Sequence, residues 1–151
     1  MMETLGNTLL LERRKIGFFA SSRIAALSVL PTLDWAAEIA QREDVVIVSG
    51  FQSKMEREVL DFLLQGRCGI ICVLARSIYK KIPDRYREAY DAGRVLFVSH
   101  ECGSVRRTAR AAAIRRNAYI ASIVDSLVFS SVTSASSLYP LTEMHTPTVF
   151  L

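Results

Sequence analysis

Four apolar runs recur along the chain: KIGFFA (15–20), VVIVSG (45–50), GIICVLA (69–75) and RVLFVSH (94–100). Each is far shorter than the roughly 20 residues a membrane span needs. Each is also apolar at successive positions, which a strand with one wet face cannot afford. Between them the apolar residues switch to helical spacing. Such alternation predicts a parallel sheet buried by helices on both faces, with right-handed crossovers. A helix is expected after Pro31, burying Leu33, Ala36, Ala37 and Ala40. Another is expected over 54–66, with Met55, Val59, Phe62 and Leu63 inward and Gly66 as its stop. A short helix over 83–93 runs from Pro83 to Gly93, and a fourth lies around 107–124. SLVFSS (126–131) and PTVFL (147–151) complete a sheet of about six strands. The fold class is therefore α/β, three layers in α/β/α order, as a single domain over 1–151.

With 151 residues, 50% of them hydrophobic and 23% charged, the chain suits one compact domain with a real core. The opening MMETLGNTLLLERRK carries acids and no cleavage-site pattern, so no signal peptide is read. Three cysteines without CxxC spacing read as reduced thiols of a cytoplasmic protein. Cys102, His100 and the remote His145 are too few for a zinc site, and neither metal nor cofactor is expected.

The formal net charge of +4 favours an anionic partner only weakly. Its distribution says more. Arg106, Arg107, Arg110, Arg115 and Arg116 all fall between Glu101 and Asp125, with no acid among them, and scatter around the helical wheel. On that wheel Ala113, Asn117, Ile120 and Val124 share one stripe, so the amide of Asn117 faces the apolar side. A buried amide without partners costs roughly 1–3 kcal/mol. It either ties down a loop or holds a ligand.

Ligands of open parallel sheets bind outside the carboxyl ends of the strands. Here that rim reads Ser21-Ser22-Arg23, Ser49 to Ser53, Ala75-Arg76-Ser77, Ser99-His100 and Ser130 to Ser137. Hydroxyls and backbone N–H groups of such a rim can hold phosphate. There is no GxGxxG, no GxxxxGK[ST] and no Ser-His-Asp set, so neither a standard dinucleotide site nor a hydrolase triad is expected. Lys54, at the positive end of its helix, is unfavourable there unless an anion is near. Phe51 could stack on a base, though an aromatic after a strand is more often core.

Read together, IGFFASSR, VVIVSGF, GIICVLARSIYKKIP and IRRNAYIASIVDSLVF resemble, in the correct order, the Rossmann-like domain of the DNA-processing protein A (DprA, Smf) family. LGNTLLLERRKI is similar to the segment leading into that family's first strand. Members bind single-stranded DNA and help load a recombinase onto it during uptake of foreign DNA. The resemblance implies a binding site for single-stranded DNA, or a nucleotide-type anion, at Ser21, Ser22, Arg23, Ser49, Gly50, Lys54, Arg115, Arg116 and Asn117. In it, Arg116 meets a backbone phosphate and Asn117 holds the turn. It also implies a homodimer and allows a recombinase partner, while the short apolar runs imply no membrane association. The edge formed by 147–151 offers a place for strand pairing.

The chain departs from the family pattern S-G-x-A-x-G-I-D, reading Ser49-Gly50-Phe51-Gln52-Ser53-Lys54-Met55-Glu56, and it has Ala118 where an arginine is usual. The glycine turn after the fifth strand is replaced by Ser134-Ala135-Ser136-Ser137-Leu138, and a single domain without the family's winged-helix domain is expected. The leading expectation is a non-catalytic nucleic-acid binder. The alternative is a nucleotide sensor or an enzyme processing nucleoside monophosphates. The region 131–138 lacks the P-G-G-x-G-T-x-x-E stretch of the related phosphoribohydrolases, which argues against hydrolysis.

Overall fold

The computed structural model describes residues 2–101, 110–132, 138–143 and 147–151. In chain order the elements are β1 (Glu3–Gly6), β2 (Arg14–Ala20), α1 (Ala26–Ile39), β3 (Val45–Ser49), α2 (Lys54–Leu64) and β4 (Gly69–Leu74). They continue with α3 (Arg87–Asp91), β5 (Val95–Ser99), α4 (Arg110–Ile123), β6 (Ser126–Ser130) and β7 (Thr148–Phe150). Short 3₁₀ turns cover Thr8–Glu12, Asp84–Tyr86 and Tyr139–Glu143.

All the strands join one seven-stranded sheet in the order β1-β5-β4-β3-β2-β6-β7. Every neighbouring pair is parallel except β1 with β5. The α/β class and the two-sided burial read from the sequence are both present. β3, β4 and β5 are buried at every position, which is why they read as unbroken apolar runs. On one face Ile16, Phe18, Ile47 and Ile70 pack under Ala36 of α1 and Val59 and Leu63 of α2. On the other, Phe19, Val48, Ile71 and Phe129 pack under Ile120 of α4 and Leu138. α4 comes close to β2 because Gly17 has no side chain. A Cβ there would lie 3.2 Å from Val124 and 3.3 Å from Ile120.

Several details differ from expectation. The sheet has seven strands rather than about six, because Glu3–Gly6 adds an antiparallel edge to β5. Its four residues are mostly exposed and carry no apolar pattern. α1 begins at Ala26, with Pro31 inside it rather than before it. The bond Pro31 cannot donate would have gone to the carbonyl of Leu27, a residue 91% exposed. In α2 the fourth inward residue is Leu60, not Phe62, and in α1 Ala37 faces solvent while Thr32 and Ile39 are buried. The helix expected over 83–93 is one 3₁₀ turn followed by five α-helical residues. Among the described residues no helix is long and apolar enough to cross a membrane.

β2 to β5 build the sheet outward in one direction, and β6 then returns to lie on the other side of β2. The chain therefore reverses its winding beside β2. In open α/β sheets this switch point is where a crevice forms at the carboxyl ends.

Candidate nucleic-acid interface

A cleft of about 960 Å³ opens at that switch point. Its walls come from the loop after β2 (Ser21, Ser22, Arg23, Ala25), the loop after β3 (Gln52, Ser53) and the end of β6 (Ser131, Val132). Ala113, Arg116 and Asn117 of α4 and Phe150 and Leu151 close it. The composition of α4 follows from this position. The stripe that carries Ile120 onto the sheet continues, one turn earlier, over the cleft. The guanidinium and amide thus occupy an inward stripe without entering the core.

Arg116 is the most constrained side chain here. Its guanidinium lies on the backbone of Gly50, close enough that a Cβ on Gly50 would be 2.6 Å from Cζ. Its Nε donates to Oδ1 of Asn117 at 3.0 Å. Its Nη1 is buried and has no hydrogen-bond partner among the described residues. Burial pulls the Arg116 pKa below the usual arginine value, while Glu56 nearby pulls it back up. Asn117 therefore orients Arg116, and among the described residues its side chain makes no hydrogen bond to a loop.

Glu56 is a cleft residue that the sequence reading passed over. Its carboxylate is buried, and Oε2 accepts from the backbone N of Ala20 at 3.1 Å. Oε1 accepts from the N–H groups of Gln52 (2.9 Å) and Ser53 (3.1 Å). Glu56 thereby joins the end of β2 to the start of α2. Ser53 returns the contact by accepting from the Glu56 N–H, completing a capping box. The motif Ser53-x-x-Glu56 was readable as such. This carboxylate supplies the negative charge at the helix start that Lys54 made conspicuous.

The loop carrying Arg23 is fixed from the β6 side. Ser21 Oγ donates to the Ser131 carbonyl at 2.9 Å, and Ala25 N donates to Ser131 Oγ at 2.7 Å. Below them the Thr32 and Ser130 hydroxyls share a 2.7 Å bond. Ser131 (φ 55°) and Phe51 (φ 51°) have left-handed backbones, an arrangement that costs energy in residues other than glycine. Both stand at this rim.

The residues anticipated as a site divide into groups. Ser21, Ser22, Arg23, Arg116 and Asn117 line the cleft. Ser49 and Gly50 lie beneath it, Ser49 fully buried with Oγ accepting from Phe51 N at 3.2 Å. Lys54 is exposed and does not line the cleft. Arg115 turns away and pairs with buried Glu101 through two hydrogen bonds. Thus an acid at the margin of the acid-free segment takes one of its arginines. Phe51 is only 4% exposed and belongs to the core. The His100 ring packs at a tilt against Tyr119, and Arg76 lies over the Tyr79 ring. Arg106, Arg107, Cys102, His145 and the turn at 134–137 lie outside the described residues.

The fold and its switch-point crevice define a Rossmann-like α/β domain. Its fold is similar to that of DNA processing protein A. The X-ray structure of that protein from Streptococcus pneumoniae matches with a TM-score of 0.76 at 16% identity, over 99% of this chain and 54% of that one. DNA processing protein A from Helicobacter pylori, in a structure addressing its single-stranded DNA binding mode, matches with a TM-score of 0.66 at 20% identity. That match covers 85% of this chain and 59% of that one. This chain thus spans somewhat over half the length of either protein. No family model and no curated protein matches the sequence.

Proposed function

We propose that this chain binds single-stranded DNA, or another single-stranded nucleic acid, along the switch-point cleft and does so without catalysis. The observation that carries the reading is the Nη1 of Arg116, unpartnered among the described residues and held in the same cleft as Arg23. A buried guanidinium nitrogen without an acceptor is costly, and a phosphate oxygen satisfies it with a charge-assisted bond. Serine hydroxyls surround the pair, as a backbone-gripping site requires. The non-catalytic part rests on Glu56. Both its oxygens already accept backbone N–H bonds, which suits a structural carboxylate better than a proton-transferring one.

The likeness to DNA processing protein A supports a cytoplasmic role in DNA processing, with a recombinase and a second copy of this chain as partners. The exposed Leu27 and Leu30 of α1 are the apolar surface such a copy would cover. Light scattering tests the dimer.

The experiment for the main reading is an oligonucleotide titration at two salt concentrations. Affinity should fall linearly on logarithmic axes as phosphate contacts release counterions. Binding that is absent, or indifferent to salt, would overturn it. A second reading, a mononucleotide sensor, is favoured by the cleft volume, which is that of a small-molecule site. Thermal stabilisation by a mononucleotide and none by an oligonucleotide would select it.

A further inference from the structure

A row of aromatic rings runs across the sheet from the core to the cleft, where its last ring, Phe150, is part of the lining. Phe19, Phe129 and Phe150 sit at matching positions on the adjacent strands β2, β6 and β7. Phe19 stacks on Phe129 with centroids 5.6 Å apart and planes 20° from parallel. Phe129 stacks on Phe150 at 5.6 Å and 18°. The first two rings are buried at 1% and 0% exposure, whereas Phe150 is 61% exposed. β7 is the edge strand of the described sheet, and no described residue provides a fourth ring beyond it. Phe150 lines the same cleft as Arg23 and Arg116.

An exposed phenylalanine on an edge strand is ordinary taken singly. This one differs in being held from behind. A ring already stacked on a buried neighbour loses little conformational freedom when a second flat group settles on it. Its cleft also carries a guanidinium nitrogen in want of an acceptor. A flat apolar group joined to an anion satisfies both features, and a nucleotide unit has that chemistry.

We propose that Phe150 is the base-stacking platform of the cleft, continuing the Phe19–Phe129–Phe150 row with a nucleobase while the arginines hold the phosphates. This assignment rests on the nucleic-acid reading above and gives Phe150 the role that buried Phe51 does not have. Stacking of this kind accepts every base, so it sets affinity for single strands rather than sequence preference.

The test uses the intact chain, fluorescence anisotropy, and two labelled strands of equal length: an oligothymidylate and a strand of abasic deoxyribose residues with the same phosphates. The wild-type chain should prefer the thymidylate by roughly 5- to 100-fold. Phe150→Leu should lose that preference, keeping the salt slope and the affinity for the abasic strand. Phe150→Trp should keep the preference, and its indole emission should be quenched by thymidylate beyond any change at Trp35. Unchanged preference in Phe150→Leu, or an indole indifferent to thymidylate, overturns the platform while leaving salt-dependent binding intact. Failure of the wild type to bind either strand overturns the nucleic-acid reading itself and the platform with it. Should Phe150→Leu not fold, the Phe150→Trp emission decides alone.

Discussion

A Cβ placed on Gly50 would fall 2.6 Å from Cζ of Arg116, so the glycine and the guanidinium occupy one space between them. Gly50 does not have the left-handed backbone that excludes a side chain. What excludes one is the far end of a flexible residue, and that end can move.

Gly50→Ala should therefore fold, with a melting temperature close to the wild type, and should expel the guanidinium from its seat. The charge stays on the protein while its position is lost. Oligonucleotide affinity should fall roughly 10- to 100-fold, as for loss of a hydrogen bond to a charged group. Arg116→Ala should fall by a similar amount. Binding by Gly50→Ala equal to wild type would show that Arg116 works equally well unseated.

The contrast between two arginines gives a second expectation. Arg23 is exposed and makes no ion pair among the described residues, whereas Arg116 is oriented by Asn117 and Gly50. Arg23→Lys should retain most of the affinity, since a mobile ammonium still meets a phosphate. Arg116→Lys should not, because lysine cannot reproduce the planar fork or the Nε bond to Asn117. Arg85→Ala is the control: Arg85 pairs with Asp61 and is not among the cleft residues. Equal losses at Arg23→Lys and Arg116→Lys, measured by titration, would remove the distinction.

The fold was legible where burial on both faces left a mark. VVIV and GIICVL are strands in the sequence because both faces are buried and every position is apolar. ETLG left no such mark, since an exposed four-residue edge needs none. The cleft was legible only in part. Arg23, Arg116 and Asn117 came from a motif, and the topology brings them together. That Arg116 sits on Gly50 depends on how closely α4 approaches β3, which no local pattern encodes. Arg115 looked equivalent to Arg116 because adjacent helical residues point about 100° apart, and only the packing decides which meets Glu101. Glu56 left a local signature, Ser53-x-x-Glu56, that marks a helix start whether or not a ligand site adjoins it.

Glu56→Gln should lower stability by roughly 1–3 kcal/mol. The carboxylate receives three backbone N–H groups and offers only acceptors. A carboxamide must turn one NH₂ toward a donor, leaving it unpaired. Urea unfolding measures the difference. A variant as stable as the wild type would mean that water can replace these bonds.

Ser131 separates strain from hydrogen bonding. Its φ is 55°, and its Oγ accepts from Ala25 N. Ser131→Gly removes about 1 kcal/mol of left-handed strain together with the hydroxyl. Ser131→Ala removes the hydroxyl and keeps the strain. Ser131→Ala should therefore be the less stable of the two by about 1 kcal/mol in urea unfolding. The reverse order would show that the left-handed turn is not strained.

The last expectation concerns alkaline pH. Burial pushes the Cys72 thiol up to about 12 and the Cys68 thiol up to about 11. Burial also carries Tyr86 well above the ordinary tyrosine range, and its hydroxyl lies 3.7 Å from Cys72 Sγ. In the unfolded chain a thiol titrates near pH 8.5 and a tyrosine near pH 10. Above those values the folded state holds protons that the unfolded state has released, so stability declines as pH rises. The contribution is fully present below about pH 8 and is lost progressively toward the folded pKa values. Melting temperatures should be level from neutral to mildly basic pH, then drop steeply. Cys72→Ala should start lower, because it leaves a small cavity, but its alkaline decline should be shallower by one titrating group. Parallel declines in the two proteins would mean that the Cys72 thiol is not held neutral by the fold.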